Sequence, residues 1–188
     1  MVRKIGILVF VLVLAGGGFF YRQNNQKDVK ELNKNLPPGV KIVKSIFGFG
    51  KEYKVINKID GYEFKVPSAW KGVNKIEYTP EREMAGYFFN SVELEGIRGE
   101  GRIVGINRFK LNTPDINLID WVKNTFELFG LSNNFNKDKI SNLEIVSTSE
   151  RIDLLTGYGY FFKKNSVIYS ITGGSEDFIR EIISNGKW

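Results

Sequence analysis

The chain contains no cysteine and no histidine. Without cysteine there is no disulfide, no thiolate nucleophile, no Cys-ligated zinc or iron–sulfur site and no acylated lipoprotein terminus. Without histidine the commonest general base and metal ligand is missing, and with it every Ser-His-Asp or Cys-His arrangement. Internal repeats and low-complexity tracts are lacking too. The redox compartment stays open, because a domain with enough core needs no covalent staple.

What is there suits one domain with an appendage, for 188 residues at 42% hydrophobic and 26% charged is ordinary globular composition. Fifteen Phe, eight Tyr and three Trp supply a core, each ring removing about 150–250 Å² from water. The net charge of +6 suggests nucleic acid until it is divided along the chain. Residues 1–21 carry +2, and residues 22–60 hold nine Lys/Arg against four acids. The rest has 16 basic and 17 acidic residues. The positive charge thus lies beside the apolar N-terminus rather than on a domain face, and no nucleic-acid partner is expected.

Met1-Val2-Arg3-Lys4 precedes an uncharged apolar run from Ile5 to Tyr21. Seventeen helical residues span about 25 Å, at the short end of what crosses a hydrocarbon core of about 30 Å. Residues 1–21 are expected as a signal-anchor, an N-terminal transmembrane helix with the lipid bilayer as partner through residues 5–21. Phe19, Phe20 and Tyr21 would lie at the far interface. Signal-peptide cleavage near Ala15, which would release a secreted domain, is the alternative. The anchor is preferred because Gly16-Gly17-Gly18 runs on into aromatics instead of a polar mature start. The C-terminal domain is expected outside the cytoplasm.

Residues 22–39 read as a polar basic stalk whose Lys and Arg attract anionic headgroups. It has a short helix from Asp28 to Lys34, stopped by Leu36-Pro37-Pro38-Gly39. Residues 40–188 read as one α+β domain. Strands are expected at Val40–Phe47, Tyr53–Ile59, Tyr62–Val66, Tyr87–Glu95, Arg102–Leu111, Leu143–Ile152, Gly157–Lys163 and Ser166–Thr172. Thr113-Pro114-Asp115 signals a helix carrying Ile116, Ile119, Val122, Phe126 and Phe129, stopped by Gly130. A last helix starts at Ser175-Glu176-Asp177, buries Phe178, Ile179, Ile182 and Ile183, and ends at Asn185-Gly186.

Two hairpin registers follow from the pattern. Setting Glu95 opposite Arg102 brings Leu94 to Ile103 and Phe88 to Phe109, with Val92 on the same apolar face. Tyr87, Phe89, Val104 and Ile106 then share the other face, so the sheet needs a layer on each side. A hairpin across Lys164-Asn165 sets Tyr158, Tyr160 and Phe162 opposite Ile171, Tyr169 and Val167. The class is an antiparallel α+β sheet flanked by helices on both faces.

Gly61-Tyr62-Glu63-Phe64-Lys65-Val66-Pro67-Ser68-Ala69-Trp70 resembles the aromatic-strand, Pro, Trp entry of PsbP-like domains. That fold is shared by the extrinsic PsbP protein of photosystem II and a Ran-binding nuclear-transport factor. The order of elements over residues 53–188, closing on Trp188, is similar as well. The resemblance implies an α/β/α sandwich. It implies no activity, since functions diverge across the fold, and no functional residue of PsbP maps onto this chain.

The candidate binding residues are Trp70, Glu93, Glu95, Arg102 and Arg108. Trp70 either walls a pocket or packs in the core. Glu93 and Glu95 share a strand face, as Glu81 and Glu83 do, with Arg102 and Arg108 as natural ion partners. Two of those four carboxylates, about 5–10 Å apart in a cleft, would suit a glycan-acting hydrolase. Tyr158, Tyr160 and Tyr169 read as a core stripe, the glycines at 96, 99, 101 and 105 as a hairpin loop, and Gly173-Gly174-Ser175 as a helix cap. No catalytic set, metal or cofactor is expected. The sequence therefore points to a membrane-anchored, non-catalytic domain that contacts a protein or small ligand, with a hydrolase or an accessory subunit of a membrane complex as alternatives.

Overall fold

The computed structural model describes residues 28–45, 52–70, 72–84, 87–97, 103–111, 115–128, 135–148 and 159–188. Val40–Lys44 (β1), Tyr53–Asn57 (β2) and Tyr62–Lys65 (β3) alternate buried and more exposed residues and pair antiparallel in the order β1-β2-β3. The turn Ser68–Trp70 then leads into a larger sheet. Its strands are β4 (Val73–Met84), β5 (Tyr87–Gly96), β6 (Ile103–Lys110), β7 (Asn136–Ile140), β8 (Leu143–Thr148), β9 (Gly159–Lys164) and β10 (Val167–Gly173). They run β4-β5-β6-β10-β9-β8-β7, every pair antiparallel.

The α+β class with antiparallel sheets is as expected, but the layering differs from a sheet between helices. Helix α2 (Leu118–Leu128) covers one face, where Trp121 and Val122 meet Val146, Phe161 and Ile168. Helix α3 (Glu176–Asn185) shares the other face with the whole small sheet. There Ile42, Val55, Phe64 and Trp70 pack with Leu94, Ile106, Phe162, Ile171 and Ile182. Strands 40–65, anticipated as part of one sheet, can form their own because both of their edges are closed. Lys187 pairs with Glu63 along β3 through N–H···O bonds of 2.9 and 2.7 Å, and Asn33 occupies the edge of β1.

α3 follows its sequence closely. Ser175 is the N-cap and accepts from the Phe178 N–H, while Ile179, Ile182 and Ile183 are buried at helical spacing. Lys65 N–H donates to Asn185 and Ser68 N–H to Glu181, which ties the helix to the small sheet. Gly173, just before the cap, has φ 89, and a Cβ there would fall 2.2 Å from the Ile103 carbonyl oxygen. Only glycine fits that approach. α2 starts later than expected, at an Asn117 cap whose side chain accepts from Ile119 N–H, rather than at Thr113.

The β5–β6 register is one residue away from the expected one. Leu94 faces Val104, Phe89 faces Phe109 and Glu95 faces Ile103. A one-residue slip exchanges the faces, so Val92, Leu94, Val104 and Ile106 share the buried small-sheet side while Ile103 and Phe88 are each 41% exposed. In β9–β10 the observed pairs are Tyr160–Ile171 and Phe162–Tyr169, two residues from expectation. That shift leaves each side chain on its anticipated face.

Two strands went unanticipated, β4 and β7, the two edges of the large sheet. The segment read as a stalk is partly inside the fold. Residues 28–33 form a helix, α1, and Val29, Leu32 and Leu36 pack against the main core. Three apolar side chains at spacings of three and four were enough to dock it. The apolar segment 5–21 lies outside the described residues, and no helix among the described residues is long and apolar enough to cross a membrane.

Candidate functional site

A groove of about 750 Å³ runs between α1 and β4. Asp28, Glu31, Leu32 and Asn35 form one wall, the residues from Val73 to Thr79 form the other, and Ile97 closes one end. β4 lies at the end of the sheet order, so no strand pairs with its outer side among the described residues. Register shifts between Val73 and Lys75 and between Thr79 and Arg82 interrupt it, the second beside Pro80. Between these irregularities Lys75–Thr79 pairs regularly with β5, and no strand among the described residues takes the outer backbone groups of this edge stretch.

Asn33 sets the position of α1. Its Oδ1 accepts from Ile42 N–H at 2.8 Å, while its Nδ2 donates to Ile42 O at 2.9 Å and to Val29 O at 2.7 Å. One side chain thus stands in for a neighbouring strand on β1 and holds the helix at the same time. Lys44 donates to Asp28 at 3.2 Å, a second tie between α1 and β1.

The residues lining the groove include three acids, Asp28, Glu31 and Glu77, and one base, Lys75. Each acid has a lysine beside it, Lys44 at Asp28, Lys34 at Glu31 and Lys75 at Glu77. Lys75 lies 2.8 Å from Glu77, and that hydrogen bond, ahead of the more distant Glu93 and Glu95, raises the Lys75 pKa. An occupant with positive charge and a free backbone edge would complement this surface.

Tyr78 connects the groove to a polar cluster between the sheets. Its hydroxyl accepts from Asn90 Nδ2 at 3.3 Å, and the same amide donates to Asp60. Asp60 also accepts from Asn57 Nδ2 at 2.6 Å, while Asn57 Oδ1 accepts from Asp60 N–H at 3.0 Å. Tyr62 and Tyr169 meet edge to face in the same region, at 6.0 Å. Burial raises the pKa of the Tyr62 hydroxyl far above the usual phenol range, against the hydrogen bond from Asn57, and burial raises that of Tyr169 as well. Asn90 Oδ1 and Arg108 Nε, from cross-strand neighbours, are enclosed without a hydrogen-bond partner among the described residues. The cluster joins the two sheets through side-chain hydrogen bonds.

The residues singled out in the sequence are scattered. Trp70 is fully buried and meets Phe178 edge to face at 6.0 Å, so it is core and no pocket wall. Glu95 accepts from Asn74 at 3.0 Å, and Glu93 lies opposite Glu77. Arg108 cannot pair with either, because it projects from the small-sheet face of β6 and they project from the α2 face of β5. The expected partnership fails through the one-residue register change. Arg102 lies outside the described residues. Glu81 and Glu83 are exposed near the β4–β5 turn, where Glu83 pairs with Phe88. Glu93 is five residues further along β5, about 16 Å away, so the two carboxylate pairs do not meet. Tyr160 and Tyr169 belong to the core stripe, and Tyr158 lies outside the described residues.

Sequence reasoning missed β4. Ile76 and Tyr78 alternating with Lys75, Glu77 and Thr79 was the available signal. Among the described residues no group of three or more acidic side chains could hold a metal ion. Compared with known proteins, the chain matches no family model, no curated protein and no solved structure.

Proposed function

We propose that this chain is a membrane-anchored, non-catalytic domain outside the cytoplasm that takes an extended, basic peptide segment along β4. Residues 5–21 are its bilayer anchor, and anionic headgroups meet the Lys and Arg that follow. The observation that carries the reading is the groove of about 750 Å³, lined by Asp28, Glu31 and Glu77, beside a strand edge that no strand among the described residues pairs. An extended peptide would add a strand to Lys75–Thr79, its backbone giving affinity and its basic side chains meeting Asp28, Glu31 and Glu77. Five paired residues span about 17 Å.

The PsbP-like resemblance is part of the same proposal. A large antiparallel sheet with α2 on one face and α3 on the other supports it, while the small sheet that shares the α3 face departs from it.

The test uses the full chain in maltoside micelles and a fluorescent ten-residue peptide alternating Lys and Val. Saturable binding that weakens with salt, and no binding of the Glu–Val counterpart, is expected. Equal binding of both peptides, or of neither, overturns the peptide reading. Alkaline carbonate extraction of expressing cells checks the anchor. Release of the uncleaved chain into the soluble fraction contradicts it.

A further inference from the structure

Six residues, 22–27, separate the end of the apolar segment at Tyr21 from Asp28, the first of the described residues. The seven steps from Tyr21 to Asp28 reach at most about 25 Å when fully extended. If residues 5–21 anchor the chain, as the functional reading holds, the end of the domain that carries Asp28 is kept within that distance of the bilayer. β5 alone has ten residues, a length of about 33 Å. The two ends of the domain are therefore not equivalent with respect to the membrane.

Contacts identify the near end. Asp28 is 3.2 Å from Lys44, and the Lys44 ammonium lies 5.3 Å over the Tyr53 ring. Tyr53 and Ile97 both approach Gly72, where a Cβ would stand 3.9 Å from one and 2.2 Å from the other. Ile97 is 50% exposed, and Ile103, opposite Glu95 at the same end of the β5–β6 pair, is 41% exposed. Phe88 is also 41% exposed but pairs with Lys110 at the far end, about 23 Å away along the strand. Exposure by itself does not choose between these apolar side chains. The point of chain attachment does.

We propose that the end of the domain bearing Ile97 and Ile103 rests against the headgroup region of the bilayer that holds residues 5–21. The partner is the lipid surface itself. Isoleucines half out of the protein lose water contact there, and a tether of six residues keeps the encounter intramolecular. Because Ile97 also closes one end of the groove, this orientation sets the groove's mouth next to the membrane and restricts peptides to those presented near it.

The absence of cysteine makes the test direct. The variants Ile97→Cys, Ile103→Cys and Phe88→Cys of the full chain would each be labelled with an environment-sensitive fluorophore. They would be reconstituted in phosphatidylcholine vesicles containing phosphatidylglycerol, with and without nitroxide-bearing lipid. A blue-shifted emission and several-fold stronger quenching at positions 97 and 103 than at 88 is the expected result. Equal quenching at all three, or stronger quenching at 88, overturns the orientation while leaving the anchor intact. A chain that does not float with the vesicles overturns the anchor, and the orientation with it. Circular dichroism of each labelled variant excludes unfolding as the source of a signal.

Discussion

β4 and β7 are the two edges of one sheet, and they meet the hazard of an unpaired strand in different ways. β7 is five residues long, with Asn136, Lys137, Asp138 and Lys139 all exposed. A short, charged edge discourages another strand from pairing, and Asp138 is taken up by Arg180 at 2.5 Å. β4 is twelve residues long and is interrupted rather than shielded, with irregularities on each side of Lys75–Thr79. The small sheet offers a third solution, since Asn33 occupies β1 and the Glu63–Lys187 pairing occupies β3. Of these four edges, β4 is the one whose strand-length stretch lines a groove and pairs with no further strand among the described residues. The difference teaches that an edge bounded at both ends behaves as a site, whereas an edge made short and charged behaves as a surface.

The comparison breaks most severely at the root of β4. Trp70 immediately precedes that strand and is fully buried. Trp70→Ala should cost about 3–5 kcal/mol of stability in urea denaturation, far beyond the loss of a surface pocket wall, and Trp70→Phe should recover much of it. Next comes the groove wall. Asn33→Ala leaves the Ile42 N–H and C=O without their side-chain partner, and should cost about 2 kcal/mol and lower peptide affinity as α1 loosens. Charge sharpens the contrast with little effect on folding. Glu77→Lys in the groove should weaken the Lys–Val peptide roughly tenfold in a binding titration. Glu144→Lys, beside β7 opposite Lys139, should leave binding unchanged.

The smallest effect belongs to the β7 edge. Glu176 has its pKa lowered by the hydrogen bond from Tyr160 and then by Arg180, and Asp138 by the Lys139 N–H and then by Arg180. Carboxyls with depressed folded pKa values contribute stability above the ordinary carboxylate range, and it is lost as pH falls through the depressed values. A modest loss between about pH 5 and 2 is therefore expected in thermal unfolding. Arg180→Ala should flatten that slope, while the Lys75–Glu77 pair of β4 stays intact.

How much of this was legible depended on whether an element is buried on both sides. α3 could be read almost whole, because Ser175 and the isoleucines at 179, 182 and 183 carry cap and spacing together. β9 and β10 were legible in face, since the positions of Phe162 and Tyr169 survive a two-residue slip. β5 and β6 were legible as strands but not in register. Phe88-Phe89 and Ile103-Val104 place apolar residues next to each other, so either register looks plausible to a pattern, and the connection is too long to fix it. β4 and β7 lacked the signal altogether: Pro80 and bulges break one, and the other is nearly all polar. α1 was legible as a helix at Asp28–Lys34, but its charge disguised the docking of Val29 and Leu32 on the core. The groove is built from α1 and β4, which is why none of Trp70, Glu93, Glu95, Arg102 or Arg108 named it.

Backbone amide hydrogen exchange on the full chain in micelles tests the central claim most directly. With saturating Lys–Val peptide, amides within residues 75–79 should slow markedly while those of 136–140 keep their rates. Bound peptide with no slowing at 75–79, or equal slowing at both edges, would contradict the account.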